Sequence, residues 1–527
     1  MNWTQPEITW APLIPILVVL LAAAAGILVE SFVRTPAVRR VTQIALTLAA
    51  LVVALGALIV QWATEEGSGT VVLRFMLVVD RQSLAWQIML AAFGILAVLL
   101  FAAKTRAGEE QFTPLGSTAP GTLDETRALR QGFQLTEVFP LALFATGGMM
   151  LFTAVTDFVF LFVVLELFSL PLYILVALAR RRRSLSHEAA LKYFLLGAFS
   201  SAIYIFGVAL IYGGTGQTSF TAVQRAIEII GGNDPLIIVG AVLVLVGVFF
   251  KIGAVPFHQW VPDVYQGAPT AVTGFMAAAV KAAAVAALVR IVFASIYPLQ
   301  WELDWLFWTI AIATMVIATV IALVQTDIKR MLAYSSVAHA GFILVAFAGF
   351  SPEALSSLPF YLLAYGFATF GAFAIITQVR EKTADGNVGA EATRLGQWAG
   401  LGKRSPWLAT AMGLFLLSFA GIPLTAGFIG KFVVFRSALN EGAWPLVLVA
   451  VLASAAAAFF YVRLIVLMFF TEVPEDQEDA IEIDHSPLTR AVVVVSAVAT
   501  LVLGVVPGPA LALAQDAGVL LTSLAGN

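Results

Sequence analysis

The stretch VGVFFKIGAVPFHQW, residues 246–260, decides the fold, because it sets a lysine inside an apolar run that ends in helix-breaking residues. Lys251 follows the apolar run, and Gly253 and Pro256 come soon after it. Proline removes a backbone hydrogen-bond donor and clashes with the preceding turn of a helix. Unwound backbone at membrane depth is tolerated only where it is buried in protein or lines a water-filled cavity. The stretch therefore predicts a membrane-spanning helix that is broken beside a buried cation.

A second stretch of the same kind, LLSFAGIPLTAGFIGKF, covers residues 416–432. Here Gly421, Pro423 and Gly427 precede the lysine, which is Lys431, whereas in the first stretch the lysine precedes the break. Interrupted helices in corresponding positions of two halves are typical of transporters. The pair of stretches therefore indicates an ion-binding pathway between two related halves of the chain.

The composition places the whole chain in a membrane. Of its 527 residues, 60% are hydrophobic and 12% are charged, and the mean hydropathy is +0.95. Runs of about 20 apolar residues match the ~30 Å hydrocarbon core of a bilayer. The fold class is therefore an all-α polytopic membrane protein with about fourteen transmembrane helices. The predicted spans are 10–33, 41–62, 82–103, 136–155, 157–178, 189–213, 235–265, 270–292, 303–325, 331–349, 356–380, 406–436, 443–471 and 489–512.

The loops between these spans carry an uneven distribution of Lys and Arg. Most of these residues fall in odd-numbered loops, and basic loops stay in the cytoplasm, so both termini are predicted on the outer face. Spans 235–265 and 406–436 then run in opposite directions, as an inverted repeat requires. The run Arg180–Arg183 is interpreted as a topology anchor beside anionic headgroups and not as a nucleic-acid site. The polar segment 104–135 is interpreted as a mobile loop, and the acidic segment 472–484 is also placed in the cytoplasm.

Two further ionisable side chains lie near the middle of predicted spans. Glu166 stands in span 157–178, and Lys281 stands among alanines in span 270–292. An ionised group near the bilayer centre costs about 2.5–3.5 kcal/mol on insertion scales, and Lys281 is too far from either surface for its ammonium to reach the headgroups. A packing ion pair is the alternative to a functional role for each, and the isolation of Lys281 favours function. Tyr461 is a weaker candidate.

The chemistry of these residues indicates which ion is carried. Burial disfavours the charged form of a lysine and a nearby carboxylate favours it, so a movable contact between Glu166 and Lys251 can load and unload a proton. We expect these two side chains within direct or one-water reach of each other. Carboxylates that would suit a sodium site are sparse within the spans, which favours H⁺ over Na⁺. His258 and His339 either relay protons or hydrogen-bond the loosened backbone.

Redox and metal chemistry are not predicted in this chain. It has no cysteine, which excludes disulfides, thiolate-ligated iron–sulfur clusters and a nucleophilic thiol. Its four histidines are not at metal-ligand spacing. The run GGTG, residues 213–216, lacks the third glycine and the preceding strand of a dinucleotide site, so it is interpreted as a loop. Any redox reaction that this protein serves is therefore expected on other chains.

Three long motifs carry a resemblance to a known family. They are KIGAVPFHQWVPDVYQGAPTAVTGFMAAAVKAAA at 251–284, QTDIKRMLAYSSVAHAGFILVAF at 325–347 and LLSFAGIPLTAGFIGKF at 416–432. In this order they resemble the antiporter-like membrane subunits of bacterial proton-pumping NADH-quinone oxidoreductase (respiratory complex I), and among these the N-type subunits. The likeness extends from about residue 136 to 470, and the first three spans fit the family less distinctively.

The resemblance implies a fold of fourteen helices with two inverted five-helix repeats, each containing a broken helix. It implies a proton-translocating membrane subunit that is driven by redox chemistry on other subunits. Glu166 matches the key glutamate on the family's helix 5. Lys251, Lys281 and Lys431 match the family's lysines on helices 7, 8 and 12. His258 and His339 match two of its polar-axis positions.

The resemblance also implies domain organisation, cofactors and partners. No cofactor is expected in this chain, and NADH, FMN, iron–sulfur clusters and quinone are expected on partner subunits. The expected partners are M-type, K-type, J-type and L-type membrane subunits and membrane lipids, without nucleic acid, in the bacterial inner membrane. The segments are 1–135 (three helices and a polar loop), 136–292 (first repeat), 303–471 (second, inverted repeat) and 472–527 (acidic loop and C-terminal helix).

Related subunits with the same fold differ at particular positions. M-type subunits usually have glutamate where Lys431 stands, and L-type subunits carry a long C-terminal lateral helix, whereas this chain ends soon after span 489–512. Subunits of Mrp-type Na⁺/H⁺ antiporters share the fold and the lysines, but their sequences usually differ from the motifs DVYQGAPT and HAGF found here. Such an antiporter subunit is the alternative function. A purely structural scaffold would need neither Glu166 nor Lys281.

Overall fold

The protein is built almost entirely from helices. The computed structural model describes residues 8–64, 69–73, 76–105, 108–115, 122–131, 134–232, 234–382, 388–473, 480–518 and 520. The helices of the first half are α1 (Ile14–Phe32), α2 (Pro36–Thr64), α3 (Arg81–Ala102), α4 (Leu123–Arg130), α5 (Val138–Phe152), α6 (Phe158–Val176), α7 (Arg183–Thr215), α8 (Phe220–Ile230), α9 (Pro235–Ile252), α10 (Trp260–Gly267), α11 (Thr270–Phe275) and α12 (Lys281–Ala294).

The second half continues in the same manner. Its helices are α13 (Gln300–Leu323), α14 (Ile328–Leu344), α15 (Ala354–Gln378), α16 (Leu401–Arg404), α17 (Pro406–Ala420), α18 (Ala426–Asn440), α19 (Trp444–Phe470), α20 (Pro487–Val505) and α21 (Gly508–Asp516). Short strands accompany them: β1 (Thr70–Val72), β2 (Leu77–Val79), β3 (Val379–Lys382), β4 (Val388–Glu391) and β5 (Ile481–Ile483).

Within the residues described, twelve helices are long and apolar enough to cross a membrane. Each coincides with a predicted span, so the all-helical membrane class is confirmed. Of the two remaining predicted spans, 136–155 holds the shorter apolar helix α5, and 406–436 is divided between α17 and α18. The total of fourteen crossings therefore stays a prediction.

Helix α7 begins earlier than the hydropathy pattern predicts. It starts at Arg183, six residues before the predicted start at 189, because its polar first turns continue the helix beyond the apolar run. The i, i+4 pair of Glu188 and Lys192, with an N–O distance of 2.7 Å, is of the kind that stabilises such polar turns. Hydropathy alone locates the apolar part of a helix and not its ends.

Both predicted helix breaks are present. The first separates α9 from α10 and the second separates α17 from α18. Each first half-helix ends at a glycine, Gly253 or Gly421, whose φ is +81° and whose N–H donates to carbonyls three and four residues earlier at 2.9–3.1 Å. A left-handed backbone costs a residue with a Cβ about 1–2 kcal/mol, so glycine is the residue that allows both helices to end here.

The helices are buried to very different extents. Every residue of Thr270–Ala294, the segment that contains α11 and α12, is buried. Helix α15 packs against this segment, whereas most of α1 and α2 faces away from the protein interior. Lys281, the first residue of α12, therefore lies at the centre of the bundle.

The arginine run is engaged by the protein itself. Arg180 forms ion pairs with Glu125 and Glu109 at 2.9 and 3.2 Å, and Arg182 pairs with Glu381 at 3.4 Å. These arginine side chains are therefore bound by carboxylates of the protein, and the interpretation of the run as a topology anchor stays a prediction. Glu109 and Glu125 of segment 104–135 take part in these pairs, and the expectation of a mobile loop there stays a prediction.

The strands were not predicted from the sequence. β1 pairs with β2 in an antiparallel hairpin, and β3 lies between β4 and β5, antiparallel to both. β5 belongs to the acidic segment 472–484, of which residues 474–479 lie outside the described residues. Strands of three or four residues are too short to give a recognisable alternation of apolar and polar residues.

Candidate functional site

Lys251 lies in the last turn of α9, two residues before the glycine that ends the helix. Its ammonium donates to Ser169 Oγ at 2.9 Å and to the Tyr173 hydroxyl at 3.5 Å, and its side chain is buried. Four aromatic ring centres surround the ammonium at 5.6–5.9 Å, those of Phe168, Tyr173, Tyr193 and Phe250. Hydroxyls and ring faces thus take the place of water around this cation.

The half-helix that follows the first break, α10, donates a hydrogen bond to the end of the half-helix that precedes it, α9. The indole Nε1 of Trp260, the first residue of α10, donates to the carbonyl of Phe250 at 2.8 Å. The last carbonyls of a helix lack helical partners and need another donor when they are buried. At the first break the indole donates to this carbonyl together with the Gly253 N–H, and Lys251 remains free to reach a different helix.

Glu166 lies on α6, one turn before Ser169, and is half-buried. Its carboxylate accepts a hydrogen bond from Ser201 of α7 at 2.5 Å. Glu166 is within electrostatic range of Lys251, but in the described part of the chain the two form no ion pair within 4.0 Å. The direct contact that we allowed for is therefore absent, because Ser201 holds the carboxylate and Ser169 holds the ammonium.

A π-helical turn, Met276–Val280, comes immediately before Lys281. Such turns are rare and occur frequently at functional sites. The Lys281 ammonium donates to Ser336 Oγ at 2.7 Å and also to the Ser336 carbonyl, and it lies 5.4 Å from the ring centre of Tyr365. Among the residues that the structure describes, Lys281 has no carboxylate partner within 4.0 Å.

Lys431 lies in the second turn of α18, just after the second break. Its ammonium donates to the carbonyls of Phe419 and Ala420 at 2.8 and 3.1 Å and to Ser454 Oγ at 2.7 Å. The two carbonyls belong to the last turn of α17, the negative end of that helix dipole, which favours a cation. The second break therefore binds its own lysine.

His339 is buried between two tyrosine hydroxyls. Its Nδ1 lies 2.7 Å from the Tyr361 hydroxyl and its Nε2 lies 3.5 Å from the Tyr461 hydroxyl. Tyr461 also contacts the hydroxyl of Ser335, which is the neighbour of the serine that binds Lys281. A histidine with a partner on each ring nitrogen can accept a proton on one side and release a proton on the other.

The same histidine also reaches the second break. Its ring centre lies 5.8 Å from that of Phe419, whose carbonyl accepts the hydrogen bond from Lys431. His339 therefore stands between the surroundings of Lys281 and those of Lys431. The structure brings these three predicted residues into one region.

His258 occupies the first break and is half-buried. The centre of its ring lies 6.4 Å from that of Tyr334. In the described residues its Nδ1 has no partner, and no hydrogen bond joins it to the other candidates. Both roles that the sequence left open for His258, proton relay and support of the loosened backbone, therefore stay predictions.

Hydroxyl groups supply much of this axis, and sequence reasoning did not assign them. Some could have been found, because residues three apart on a helix share a face. Ser169 follows Glu166 by three positions, and Ser336 precedes His339 by three. Ser454 lies on a different helix from the lysine that it binds, so no spacing in the sequence reveals it.

The arrangement is suited to proton transfer. All three buried ammonium groups donate to hydroxyl or carbonyl oxygens, which are neutral. Charge-assisted hydrogen bonds to carboxylates are stronger and would hold each lysine in its charged form. Within the residues described, no group of three or more His, Asp or Glu side chains could hold a metal ion.

Residues 155–457, more than half of the chain, match the family described as NADH:quinone oxidoreductase/Mrp antiporter, TM. NADH-quinone oxidoreductase subunit N of Beutenbergia cavernae is 53% identical over 527 residues, covering 98% of this chain and 99% of the relative. The protein of the same name from Thermobifida fusca is 50% identical over 512 residues, covering 96% and 92%.

Chains of solved structures are also similar to this chain. A chain of respiratory complex I from Thermus thermophilus with bound aureothin is 32% identical, with a TM-score of 0.74, covering 94% of this chain and 98% of that one. A chain of the Mrp complex from Dietzia sp. DQ12-45-1b has a TM-score of 0.80 at 23% identity over 98% of both chains, a likeness of fold alone. The family match contains both helix breaks and all six predicted site residues. This chain belongs to the NADH:quinone oxidoreductase/Mrp antiporter family of transmembrane proteins.

Proposed function

We propose that this chain moves protons along an axis that runs from Lys251 through Lys281 and His339 to Lys431. The observation that carries the proposal is that all three lysines are buried and donate to neutral oxygens. A buried ammonium without an anionic partner is costly to keep charged, so each lysine can alternate between its charged and neutral forms. Glu166 acts on Lys251 through space and favours the charged form when it is ionised.

The chain is a membrane subunit of a proton-translocating NADH-quinone oxidoreductase, and the redox sites of this enzyme lie on other subunits. We infer that NADH, FMN, iron–sulfur clusters and quinone are bound by those partners. The role of this chain is to provide the path by which protons enter, cross and leave the membrane while the partner subunits change state.

The surroundings of the chain follow from the same inference. It assembles with other membrane subunits of the complex, which we assign as M-type, K-type, J-type and L-type neighbours in a bacterial inner membrane. Both termini lie on the outer face in this arrangement. We assign residues 136–292 to the first repeat and 303–471 to the second, since each of these segments contains one helix break.

A subunit of an Mrp-type Na⁺/H⁺ antiporter is the second candidate, supported by the shared fold alone. The two candidates differ in what accompanies the chain and in what drives it. Mass spectrometry of the chains that co-purify with it distinguishes them, since only the oxidoreductase brings redox subunits.

Lys281 provides the test of the proposed function. Arginine keeps a positive charge and a similar length, but its pKa above about 12 prevents it from spending time neutral. We expect Lys281→Arg and Lys281→Ala both to abolish most NADH-driven proton uptake into inverted membrane vesicles. Assembly of the complex is measured on native gels, so that uptake is expressed per assembled complex. Full uptake by an assembled Lys281→Arg complex would reduce the residue to electrostatic support and reject the proposal.

A further inference from the structure

Arg290 of α12 forms a buried ion pair that none of the contacts described above involves. Its Nη2 and Nη1 donate to the two carboxylate oxygens of Asp80 at 2.7 and 3.1 Å, and its Nε donates to the carbonyl of Thr153 at 3.0 Å. The side chains of Arg290 and Asp80 are 2% and 0% exposed. The pair therefore lies in the interior of the protein, with the guanidinium bound on two sides.

The partners of Arg290 lie at the ends of two other helices. Asp80 is the N-cap of α3, and its carboxylate also accepts a hydrogen bond from the backbone N–H of Ser83 at 2.8 Å. Thr153 directly follows the last residue of α5. The N-terminus of a helix favours an anion and the C-terminus favours a cation, so both helix ends match the charges that they meet. Three helices of the first half are thus joined at this pair.

Stability alone does not account for the pair. Taking two charges out of water is costly, and a buried ion pair is often no more stabilising than apolar side chains of similar volume. A bidentate pair adds direction instead, because the planar guanidinium meets a carboxylate in a fixed orientation. The pair is therefore suited to fixing the rotation and the height of α12 against α3 and α5.

Lys281 lies on the same helix, nine positions before Arg290. Nine positions are about two and a half turns, so the two side chains leave opposite faces of α12, about 13.5 Å apart along its axis. Arg290 binds α3 and α5, whereas Lys281 binds Ser336 of α14 and lies beside Tyr365 of α15. Helix α12 is therefore bound to the first half of the chain on one face and to the second half on the other.

The backbone before Lys281 leaves the position of the lysine open. The π-helical turn Met276–Val280 comes between α11 and α12, and its hydrogen bonding departs from the α-helical repeat. From Lys281 to Ala294 the chain is α-helical without a break. The rotation and height of Lys281 are therefore fixed from the end of the helix that carries Arg290.

We propose that the Arg290–Asp80 pair positions Lys281, by holding α12 so that the lysine ammonium meets Ser336. This role rests on the proposed function, because the position of Lys281 matters to uptake only if Lys281 carries protons. A shift of α12 by one residue, about 1.5 Å along the axis and 100° around it, would separate the guanidinium from Asp80 and the ammonium from Ser336 together. Arg290 itself carries no proton, since an arginine stays charged.

The direct test is Arg290→Lys, which keeps the positive charge and removes the planar fork. A lysine binds a carboxylate as a point charge and does not reproduce the bidentate geometry. A displacement of about 1 Å can cost a reaction about 10²-fold, so we expect NADH-driven proton uptake per assembled complex to fall at least about tenfold. Native gels give the amount of assembled complex.

Two further measurements separate positioning from a general loss of structure. If Arg290 acts through the contact of Lys281 with Ser336, the double variant Arg290→Lys/Ser336→Ala should fall no further than Arg290→Lys alone, whereas independent losses multiply. The pH dependence of uptake should also change in Arg290→Lys, because a displaced Lys281 leaves Ser336 and Tyr365 and, among the described residues, has no carboxylate within 4.0 Å. Loss of assembled complex alone leaves the pH dependence of the remaining complex unchanged.

Arg180→Lys is the matched control. Arg180 is also buried and is paired with Glu125 and Glu109 at 2.9 and 3.2 Å, but it does not belong to the helix of Lys281. We expect this variant to lose a similar share of assembled complex and to keep its uptake per assembled complex within about twofold, because distant sites act independently. Its pH dependence should match that of the unaltered protein.

The positioning role is rejected by unchanged uptake in an assembled Arg290→Lys complex, by an equal fall in Arg180→Lys, or by losses that multiply in the double variant. If Arg290→Lys does not assemble, Asp80→Glu takes its place, since it keeps both charges and lengthens the acid by one methylene group. The same fall in uptake is expected there, and normal uptake rejects the role. Failure of both variants to assemble also rejects it, because the pair would then be required for the fold itself.

Measuring Lys281→Arg in parallel separates this role from the proposed function. Full uptake by Lys281→Arg rejects the proposed function itself. If Lys281→Arg abolishes uptake and Arg290→Lys does not lower it, only the positioning role of the Arg290–Asp80 pair fails.

Discussion

The two helix breaks end their first half-helices in the same way but hold their lysines in different ways. Both end a half-helix at a glycine with a φ of +81°. At the first break the indole of Trp260 donates to the carbonyl of Phe250, and Lys251 reaches the hydroxyls of another helix. At the second break Lys431 itself donates to the carbonyls in the last turn of the preceding half-helix. Lys251 therefore lies beside the first break and binds another helix. Lys431 binds the backbone of the second break itself.

This difference separates two tasks that one broken helix can perform. At the first break, support of the backbone and exchange of protons are assigned to different side chains. At the second break, the ammonium group of Lys431 both supports the backbone and exchanges protons. Changes at the two breaks should therefore affect assembly and proton uptake in different proportions.

The largest expected effect comes from Lys431→Ala compared with Lys251→Ala. The first variant leaves the Phe419 carbonyl without its donor, whereas the Ala420 carbonyl keeps the Ser454 hydroxyl at 3.2 Å, and an unpaired buried group costs about 1–3 kcal/mol. We expect Lys431→Ala to lower the amount of assembled complex severalfold and Lys251→Ala to assemble nearly normally, while both lose most proton uptake. Native gels calibrated by mass spectrometry give the amounts. Equal assembly of the two variants would contradict the difference between the breaks.

Trp260→Phe tests whether the indole supports the first break. Phenylalanine retains an aromatic ring against Tyr193 but cannot donate to the Phe250 carbonyl, which keeps the Gly253 N–H at 3.1 Å, so a loss of about 0.5–1.5 kcal/mol is expected. The measurement is the thermal unfolding midpoint of the purified complex, with Lys251→Ala as the control that leaves this hydrogen bond intact. A midpoint unchanged in Trp260→Phe would mean that the Gly253 N–H alone satisfies the Phe250 carbonyl.

Alanine at the two glycines gives a matched pair. Both substitutions force a left-handed backbone on a residue with a Cβ, at about 1–2 kcal/mol each. A Cβ at Gly421 would lie 3.0 Å from Cδ of Lys431, whereas a Cβ at Gly253 would lie 2.9 Å from a methyl group of Val261. We therefore expect similar losses of stability, and a greater loss of uptake per assembled complex in Gly421→Ala. The reverse order of uptake would show that the first break is the more sensitive to side-chain position.

The smallest expected effect is that of Ser454→Ala. It removes one of the three oxygens that bind Lys431 and leaves the two carbonyls in place. Ser169→Ala instead removes the closest acceptor of Lys251. Uptake per assembled complex should fall by less than about threefold in Ser454→Ala, given a net hydrogen-bond contribution of about 0.5–1.5 kcal/mol, and further in Ser169→Ala. A larger effect at Ser454 would mean that its hydroxyl takes part in the transfer.

The sequence predicted those features that depend on local chemistry. Gly253 and Gly421 end their helices because glycine alone adopts a left-handed backbone without strain. Lys281 could be identified from the sequence because it is an isolated basic residue in an apolar span. The partners of these residues were not predictable. Arg182 pairs with Glu381, 199 positions away, and no local pattern distinguishes such a pair from an exposed arginine beside lipid.

The central claim is that both breaks serve one proton path, and the pair Lys251→Gln and Lys431→Gln tests it most directly. Glutamine retains an N–H donor for the oxygens that bind each lysine but cannot carry a proton. The measurement is NADH-driven proton uptake per assembled complex in the two single variants and in the double variant. If one path passes through both lysines, each single variant should fall to the level of the double variant, since groups that act as a unit are not additive. Single variants that each keep a share of uptake which the double variant loses would show two independent paths and contradict the account.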